Sequence, residues 1–390
     1  MQLAYPHLPI PFARPSVAAR APTPTAPCLP VRRHPKTPVS RRRRVAIRGI
    51  RLCSYPLDSL VVLVLPWLNS VRIKIVQIKK NFLDCPELVR TIIDMKKLST
   101  TQRAQILTAL VEGMSISATA RMFHVSKITI LRLLADAGTL AADYHDLTVC
   151  DLTTKRVQLD EIWSFIHCKK QNINADNHGH GHGDCWTWVA IDADSKLAIN
   201  WLVGERNGRC ANEFMADLAN RLSDRVQITS DAFSAYREAM RKAFGTEVDY
   251  AQLIKEYASD FGGAGRYSPP ICVAACPEIL TGTPDPKHIN TSYVERQNLT
   301  MRMSMRRFTR LTNGFSKRLE NHKYAIALHY FHYNFIRVHQ TIKTTPAVMA
   351  GVANKVWTMT DFVELLERGE RLLGGRLTDY KPAASKKARI

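Results

Sequence analysis

The amino-acid sequence predicts an α/β protein with a mixed sheet flanked by helices, preceded by a small all-α domain. A chain of 390 residues, 45% hydrophobic and 23% charged, is ample for a folded core and predicts two or three domains. Residues 155–345 show three strand patterns, a helix, a fourth strand and further helices. Residues 98–140 show short helical patterns separated by a tight turn.

The net charge is the unusual feature of the composition. Lys and Arg number 55 against 34 Asp and Glu, which leaves +21 and an isoelectric point near 9.8. Such a balance favours a polyanionic partner, nucleic acid first and an anionic membrane second. Residues 1–94 hold 16 Lys and Arg against four Asp and Glu, a net +12, so residues 95–390 carry only +9. The prediction of function therefore depends on motifs more than on bulk charge.

Cysteine usage and hydropathy bound the compartment. Nine cysteines are scattered without regular spacing, and this odd number argues against a secreted disulfide framework. We therefore expect a reducing, cytoplasmic environment. The longest apolar run, residues 60–68, is too short to span a bilayer and contains Pro66, so no membrane anchor is predicted.

Residues 1–94 are predicted to be a disordered basic leader. Its first half is rich in Pro, Ala and Arg, and no acid precedes Asp58, so it has too little apolar surface to order itself. It could be an organelle transit segment, a nucleic-acid-binding arm, or upstream sequence translated from a misplaced start. We favour the misplaced start over organelle targeting, because well-patterned sequence begins at Met95.

Residues 95–154 are predicted to form a helix-turn-helix domain followed by a linker. Apolar residues recur at helical spacing in three short stretches, at 102–112, 117–123 and 127–135. Ser126 caps the third helix, which is predicted to end before Gly138, and residues 139–154 are predicted to be the linker.

This arrangement of helices is the geometry of a DNA-reading motif whose last helix enters the major groove. Lys127, Thr129 and Arg132 would lie on the exposed face of that helix. A generic helical hairpin is the alternative interpretation.

Four strands are predicted in the central region, at residues 156–166, 185–191, 197–203 and 225–230. The first contains Asp160 and Glu161, and Asp231 directly follows the fourth. Asp160 and Glu161 are adjacent and point to opposite faces of a strand, so alternation alone does not choose between them.

A basic stretch later in the chain, Tyr293–Arg310, holds five arginines and one acid, Glu295. Without Pro or Gly it predicts a helix, on which Glu295 and Arg302 share one face. A lone Glu on such a face is usually an ordinary partner of arginine. The alternative is a metal-binding carboxylate held beside bound phosphates.

Asp160, Asp231 and Glu295 come from separate elements that can converge at one edge of the sheet. Two divalent cations about 4 Å apart need bridging and flanking oxygen ligands, which carboxylates supply. Mg²⁺, or Mn²⁺ in its place, suits such a site because it accepts carboxylates, waters and phosphate oxygens.

Several motifs in order resemble those of DDE transposases of bacterial insertion sequences, of the kind grouped with insertion sequence 1. The resemblance runs from about residue 95 to 366. It is carried by Leu-Asp-Glu-Ile-Trp-Ser-Phe at 159–165, Trp-Thr-Trp-Val-Ala-Ile-Asp-Ala-Asp at 186–194, Asp-Ala-Phe-Ser-Ala-Tyr at 231–236 and Ser-Tyr-Val-Glu-Arg-Gln-Asn at 292–298. Residues 333–339, followed by Thr-Pro-Ala at 345–347, are similar to the ending of integrase-type catalytic cores.

The resemblance implies an RNase H-like catalytic domain over residues 155–350 in a nucleoid-associated bacterial protein. It implies that Asp160, Asp231 and Glu295 are a metal-binding triad, and it favours Asp160 over its neighbour. The basic residue that follows the glutamate by seven positions in many such enzymes is here Arg302. Arg296 and Arg306 would extend its grip on the DNA backbone, although a solvated basic face is an equal alternative.

Other features are given less weight. Residues 245–290 are predicted to be an insertion, with loops around one short helix. The His178–His182 tract is interpreted as a mobile loop rather than a metal site. A zinc site at Cys272 and Cys276 is not favoured, because no second cysteine pair has zinc spacing. His339 and Arg337 are possible accessory residues that could orient a phosphate, with a structural histidine as the alternative.

The end of the chain is predicted to be helical. Residues 317–337 predict a long helix with a buried stripe. In the last segment, 351–390, Thr360 is predicted to cap a helix that ends before Gly369, and a basic tail follows.

The combined prediction is a transposase that binds double-stranded DNA at the ends of a mobile element, cuts it and joins it to target DNA. Joining two ends favours at least a homodimer. Two alternatives stay open: a catalytically silent DNA-binding regulator that keeps the fold, and a metal-dependent nuclease that hydrolyses DNA without joining it.

Overall fold

The computed structural model of the chain describes residues 97–174, 181–258, 271–309 and 312–379. The predicted leader, and the end of the predicted basic tail from residue 380, lie outside the described residues. Within the described ranges, no helix is both long and apolar enough to cross a lipid bilayer.

Helices and strands are numbered in chain order over these described ranges. The helices are α1 (Thr100–Val111), α2 (Ile116–Met122), α3 (Lys127–Thr148), α4 (Gly208–Arg221), α5 (Ala235–Phe244), α6 (Ser292–Ser304), α7 (Leu319–Phe331), α8 (Pro346–Met349) and α9 (Met359–Leu373). The strands are β1 (Arg156–Ile166), β2 (Gly183–Asp192), β3 (Ala198–Gly204), β4 (Val226–Asp231), β5 (Val248–Ala258) and β6 (Ile271–Thr281). The predicted α/β class, a mixed sheet flanked by helices, is confirmed.

The six strands form one sheet in the order β3-β2-β1-β4-β5-β6. β2 runs antiparallel to both β1 and β3, whereas β4 is parallel to both β1 and β5. β6 pairs antiparallel with β5 at the edge. A mixed sheet with this order, covered by helices, is compatible with an RNase H-like fold.

Helices cover both faces of the sheet because β2 is apolar on both sides. Trp188 packs on one face against Phe214 of α4 and Tyr236 of α5. Val189, the next residue along β2, joins the cluster on the opposite face, which includes Tyr330 of α7. Strand alternation therefore places the sheet between two helical layers.

The first three helices each begin at a serine cap, of which Ser126 was predicted. The hydroxyls of Ser99, Ser115 and Ser126 each accept a hydrogen bond from a backbone N–H in the first turn of α1, α2 and α3. His124 takes a positive φ of 53° in the turn between α2 and α3. The expected succession of helix, tight turn and helix is present.

The third helix is longer than predicted. It continues through Gly138 to Thr148, so the predicted end before Gly138 and the predicted linker at 139–154 are wrong. A Cβ on Gly138 would lie 2.5 Å from the Cα of Tyr324 on α7. Gly138 therefore serves a close approach of two helices, which outweighs its low helix propensity.

The loops around one short helix that we predicted for the insertion at 245–290 are also wrong. β5 and β6 occupy most of this segment and extend the sheet. The pattern of β6 is weak because most of its described side chains are exposed and Pro277 interrupts it. Proline is tolerated on an edge strand, and the pairing with β5 supplies what the local pattern lacks.

The C-terminal helices differ from prediction at their ends. The helix predicted over residues 317–337 is α-helical only as far as Phe331, and a π-helical turn, His332–Ile336, follows it directly. α9 is capped by Thr358 rather than by the predicted Thr360, and it runs through Gly369.

The last helix closes the structure onto the first. The guanidinium of Arg103 on α1 bonds the carboxylates of Glu367 and Glu370 on α9. α1, α3, α9 and one face of the sheet share a single hydrophobic core.

Candidate active site

Three carboxylates meet at the edge of the sheet where β4 ends. The parallel pairing of β1 and β4 stops at Gln158 and Thr229. Asp231 is the last residue of β4, and Asp160 and Glu161 lie just beyond the paired part of β1. These three acids can each direct one carboxylate oxygen to a common point, with all three oxygens within 4.8 Å of one another. Acids distant in sequence converge here because the carboxyl ends of parallel strands share an edge.

Both members of the adjacent pair Asp160 and Glu161 reach this cluster, although they leave β1 on opposite faces. The pairing with β4 has ended at this point, so side chains from either face can turn into the same space. We predicted Asp160 alone. Glu161 is the acid that sequence reasoning missed, and its place directly after Asp160 was the only signal available.

Asp160 is held in position by two hydrogen bonds. The backbone N–H of Glu161 donates to Asp160 Oδ1 at 2.8 Å, and Asn298 Nδ2 on α6 donates to Oδ2 at 2.8 Å. Burial raises the pKa of Asp160 to about 6, and the charges of Asp231 and Glu295 also raise it. The site therefore favours a bound cation, which would stabilise the ionised carboxylate.

Glu161 is buried, and one of its oxygens, Oε1, has no hydrogen-bond partner among the described residues. Burial raises its pKa to about 7, and the charge of Asp231 adds to the effect. A buried carboxylate oxygen without a partner is costly unless another group satisfies it. This donor set of hard oxygens fits a divalent cation such as Mg²⁺.

Arg206, in the loop after β3, is a basic residue of the site that no sequence pattern indicated. Its guanidinium lies 3.5 Å from Glu161 Oε2 and 3.5 Å from Asp231 Oδ2. It stacks over Phe233 at 3.8 Å from the ring centroid, which fixes its orientation. One fixed positive charge thus partly neutralises two of the three acids.

Glu295, the third predicted acid, lies in the first turn of α6 and outside the group of three converging oxygens. Its carboxylate forms an ion pair with Lys255 of β5 and accepts a hydrogen bond from Thr291 Oγ1 at 2.7 Å. Its charge nevertheless contributes to the raised pKa of Asp160. The structure thus brings Asp160 and Asp231 together and leaves Glu295 beside them, held by Lys255.

The start of α6 is anchored to β1 by one side chain. Gln158 Oε1 accepts hydrogen bonds from the backbone N–H groups of Tyr293 at 2.8 Å and Val294 at 3.1 Å. These N–H groups have no partner within the helix, so the contact satisfies them and sets where Glu295 sits relative to the strand.

The predicted DNA-contacting residues fall into two groups. Arg296 and Arg306 are exposed on α6 and just after it, and Arg302 is half-buried two turns beyond Glu295. On α3, Lys127 and Arg132 are exposed, whereas Thr129 is half-buried and bonded to the Ser126 cap.

The predicted accessory residues lie in a basic environment. Burial lowers the pKa of His339, and the charges of Lys196, Arg337 and Arg296 lower it further. Arg337 Nη1 donates to Ser304 Oγ at 3.3 Å.

The weaker metal-site candidates do not assemble in the described ranges, where the acidic cluster is the only group of three or more such ligands. His178 and His180 lie outside the described residues, and His182 stacks on His167 with ring centroids 4.4 Å apart. Cys272 and Cys276 are exposed free thiols.

No family model matches the chain, and no curated protein matches it. Among solved structures it is similar to the Mos1 strand transfer complex, with 13% identity over 40% of this chain, 58% of that chain and a TM-score of 0.18. For the Mos1 transposase paired-end complex with the left transposon end, the identity is 12% over 38% of this chain and 58% of that chain, and the TM-score is 0.16. For the piggyBac transposase synaptic complex with hairpin DNA, the identity is 11% over 76% of this chain and 78% of that chain, and the TM-score is 0.32. The chain thus spans less than two thirds of the length of the Mos1 chains.

Proposed function

We propose that this chain is a DDE-type transposase of the bacterial insertion-sequence kind, which binds the ends of a mobile DNA element and catalyses metal-dependent cleavage and strand transfer. The observation that carries the proposal is the meeting of Asp160, Glu161 and Asp231 at the open edge between two parallel strands. Glu295 stands beside them on a helix that is rich in arginine.

Asp160, Asp231 and Glu161 would hold the divalent cations, Mg²⁺ or Mn²⁺, with Glu295 as a further ligand. When bound, such ions supply activation of a water or a DNA 3′-hydroxyl and stabilisation of the departing oxygen. Asn298 orients the carboxylate of Asp160. Arg206 holds positive charge against Glu161 and Asp231, which limits their mutual repulsion.

The basic residues would bind the substrate. Arg302 and Arg296 would hold phosphates of the DNA backbone on the helix that carries Glu295, and Arg306, just beyond the end of that helix, would extend this grip away from the acidic cluster. Lys127, Thr129 and Arg132 would contact the element end through the first turns of α3. Because two ends are joined to one target, we propose that the active form is at least a homodimer on double-stranded DNA.

A strand-transfer assay tests this function. Its substrate is linear DNA carrying the sequences that flank the coding region, incubated with the full chain and Mg²⁺ or Mn²⁺. We expect the parent to cleave and join the DNA. The rate should fall at least about 100-fold in Asp160→Asn and in Asp231→Asn, because each change removes a group that positions charge at the reacting phosphate. Asp224→Asn is the matched control, since Asp224 is exposed just before the opposite end of β4.

The products separate the proposal from its alternatives. Hydrolysis without joined products would indicate a nuclease. DNA binding with no metal-dependent cleavage by the parent would indicate a regulator. Full activity in Asp231→Asn would contradict the role proposed for the cluster.

A further inference from the structure

A cavity of about 330 Å³ lies between the N-terminal helices and the segment that follows α6. Its walls come from the end of α1, from α2 and α3, from residues 305–307 and 313–317, and from α7. Glu295 and Met305 are separated by ten helical residues, or about 15 Å at 1.5 Å per residue. The cavity is therefore distinct from the acidic cluster, at the other end of the same helix.

Among Lys, Arg, Asp and Glu, the residues that line the cavity are all basic. The lining includes Lys127, Arg306, Arg307 and Lys317, and it contains no Asp or Glu. None of these four forms an ion pair with any residue in the described ranges. Because these four cations have no counter-ion among the described residues, an anion is the ligand that the charge of the lining favours.

Arg307 gives the clearest indication. Its side chain is half-buried, and its guanidinium donates to Ser316 Oγ at 2.8 Å. Burial lowers its pKa to about 10, so it still carries its charge at neutral pH. A desolvated guanidinium is stabilised by a bidentate anion such as a phosphate, which matches its planar fork of donors.

His329 is the independent second observation. It lines the same cavity and is only 1% exposed, yet neither ring nitrogen has a hydrogen-bond partner among the described residues. Buried polar groups are normally satisfied, so an imidazole left without partners on a cavity wall indicates a missing ligand. A neutral imidazole offers one donor and one acceptor to such a ligand.

The remaining walls suit a flat apolar body with polar edges. Leu131, Phe315 and Leu328 supply apolar surface, and Asn313 and Asn321 supply amide groups able to donate and accept. Phosphate-binding cations beside apolar walls and amides are what a nucleotide requires, with the base stacked and its edge hydrogen-bonded. The volume lies at the lower end of the range for small-ligand sites, about 300 Å³.

We propose that this cavity binds a single nucleotide unit, with its phosphate on Arg306 and Arg307 and its base against the apolar wall and His329. The proposed DNA-processing function is needed only to say where the nucleotide comes from: an unstacked nucleotide of the bound DNA, or a free mononucleotide. Both sources present the same chemistry.

The test uses the full chain and isothermal titration with dAMP, deoxyadenosine and inorganic phosphate. We expect dAMP to bind at least about tenfold more tightly than either fragment. Arg306→Ala, at an exposed position that does not threaten folding, is expected to weaken dAMP about tenfold, the loss of one charge-assisted contact. Ser117→Phe, which fills the cavity and keeps its charges, is expected to abolish binding. Arg241→Ala on α5 removes an exposed arginine outside the cavity and is expected to leave binding unchanged.

A second arm uses a single-stranded oligonucleotide carrying 2-aminopurine, whose fluorescence rises when the base leaves its stack. A rise that Arg306→Ala and Ser117→Phe both reduce assigns the cavity to a nucleotide of DNA, whereas variant-sensitive binding of dAMP alone assigns it to the free nucleotide. Absence of a variant-sensitive signal in both arms overturns the proposal. Strand transfer is measured in parallel, so that joining without any cavity signal rejects the cavity alone, and a cavity signal without joining rejects only the transposase function.

Discussion

Gly138→Ala is expected to destabilise the protein, although in an isolated helix the same change is stabilising. Gly138 is buried within α3, where that helix crosses α7. An added Cβ would lie 2.5 Å from Tyr324 Cα and 2.6 Å from its carbonyl oxygen. Carbon atoms pack best at about 3.5–4.0 Å, so the two helices would have to separate by about 1 Å.

The magnitude follows from two opposing effects. Overpacking a core typically costs about 1–3 kcal/mol, and here the upper end applies because the obstructing atoms are backbone and cannot rotate away. Replacing glycine by alanine within a helix stabilises the helix by about 1 kcal/mol, which offsets part of this cost. The net expectation is a loss of about 2 kcal/mol in the free energy of unfolding. With a denaturant slope of about 3 kcal/mol per molar, this lowers the urea midpoint by about 0.7 M.

Equilibrium urea unfolding, followed by circular dichroism, measures this loss, and Gly369→Ala is the matched control. Gly369 also lies within a helix, α9, but an added Cβ there would meet the side chain of Leu377 at ordinary contact distances, with Cδ1 nearest at 3.4 Å. That variant is expected to be unchanged or more stable by about 0.5–1 kcal/mol. If Gly138→Ala proved as stable as Gly369→Ala, the close approach of α3 and α7 would be refuted.

Two further predictions concern charge. Burial lowers the pKa of His329 to about 3, so the unfolded chain binds its proton first. As the pH falls below about 6.5, His329 should therefore lower the free energy of unfolding by about 1.4 kcal/mol per pH unit. Urea midpoints measured over a pH series should depend less steeply on pH in His329→Gln than in the parent. An equally steep dependence in the variant would contradict this. Arg206→Gln removes a positive charge beside Glu161 and Asp231, at a partly exposed position where such a charge contributes on the order of 1 kcal/mol. The affinity for Mg²⁺, measured by calorimetry, should therefore rise about fivefold in Arg206→Gln and stay unchanged in the control Arg237→Gln. A lower affinity in Arg206→Gln would show that Arg206 supports the ion instead.

Elements with strong local signals were predicted well. The bounds of β1 agree with the prediction, Arg156–Ile166, because its alternation and its apolar neighbours are all local. The predicted cap at Ser126 follows a helix-starting pattern that depends on three or four successive residues. The convergence of Asp160 with Asp231 also followed from strand order, and their catalytic roles stay predictions.

The site was predicted less completely than the fold. Glu161 was set aside because a motif pointed to its neighbour, and Arg206 lies in a loop whose sequence has no distinguishing pattern. Lys255, which pairs with Glu295, lies on β5, a strand that we did not predict. Each of these residues acquires its position from a contact with an element distant in the chain.

The sequence by itself determined the α/β class, the order of the first four strands and the separate origins of the acids, because side-chain periodicity and capping are set by neighbouring residues. Only the tertiary structure decided that α3 continues through Gly138, that β6 exists despite Pro277, and that Glu161 and Arg206 belong to the acidic cluster. The neighbouring sequence does not distinguish a glycine that ends a helix from one that lets a second helix approach closely. An edge strand such as β6 is specified by the strand with which it pairs. These outcomes depend on pairing and packing between residues far apart in the chain, which no local pattern records.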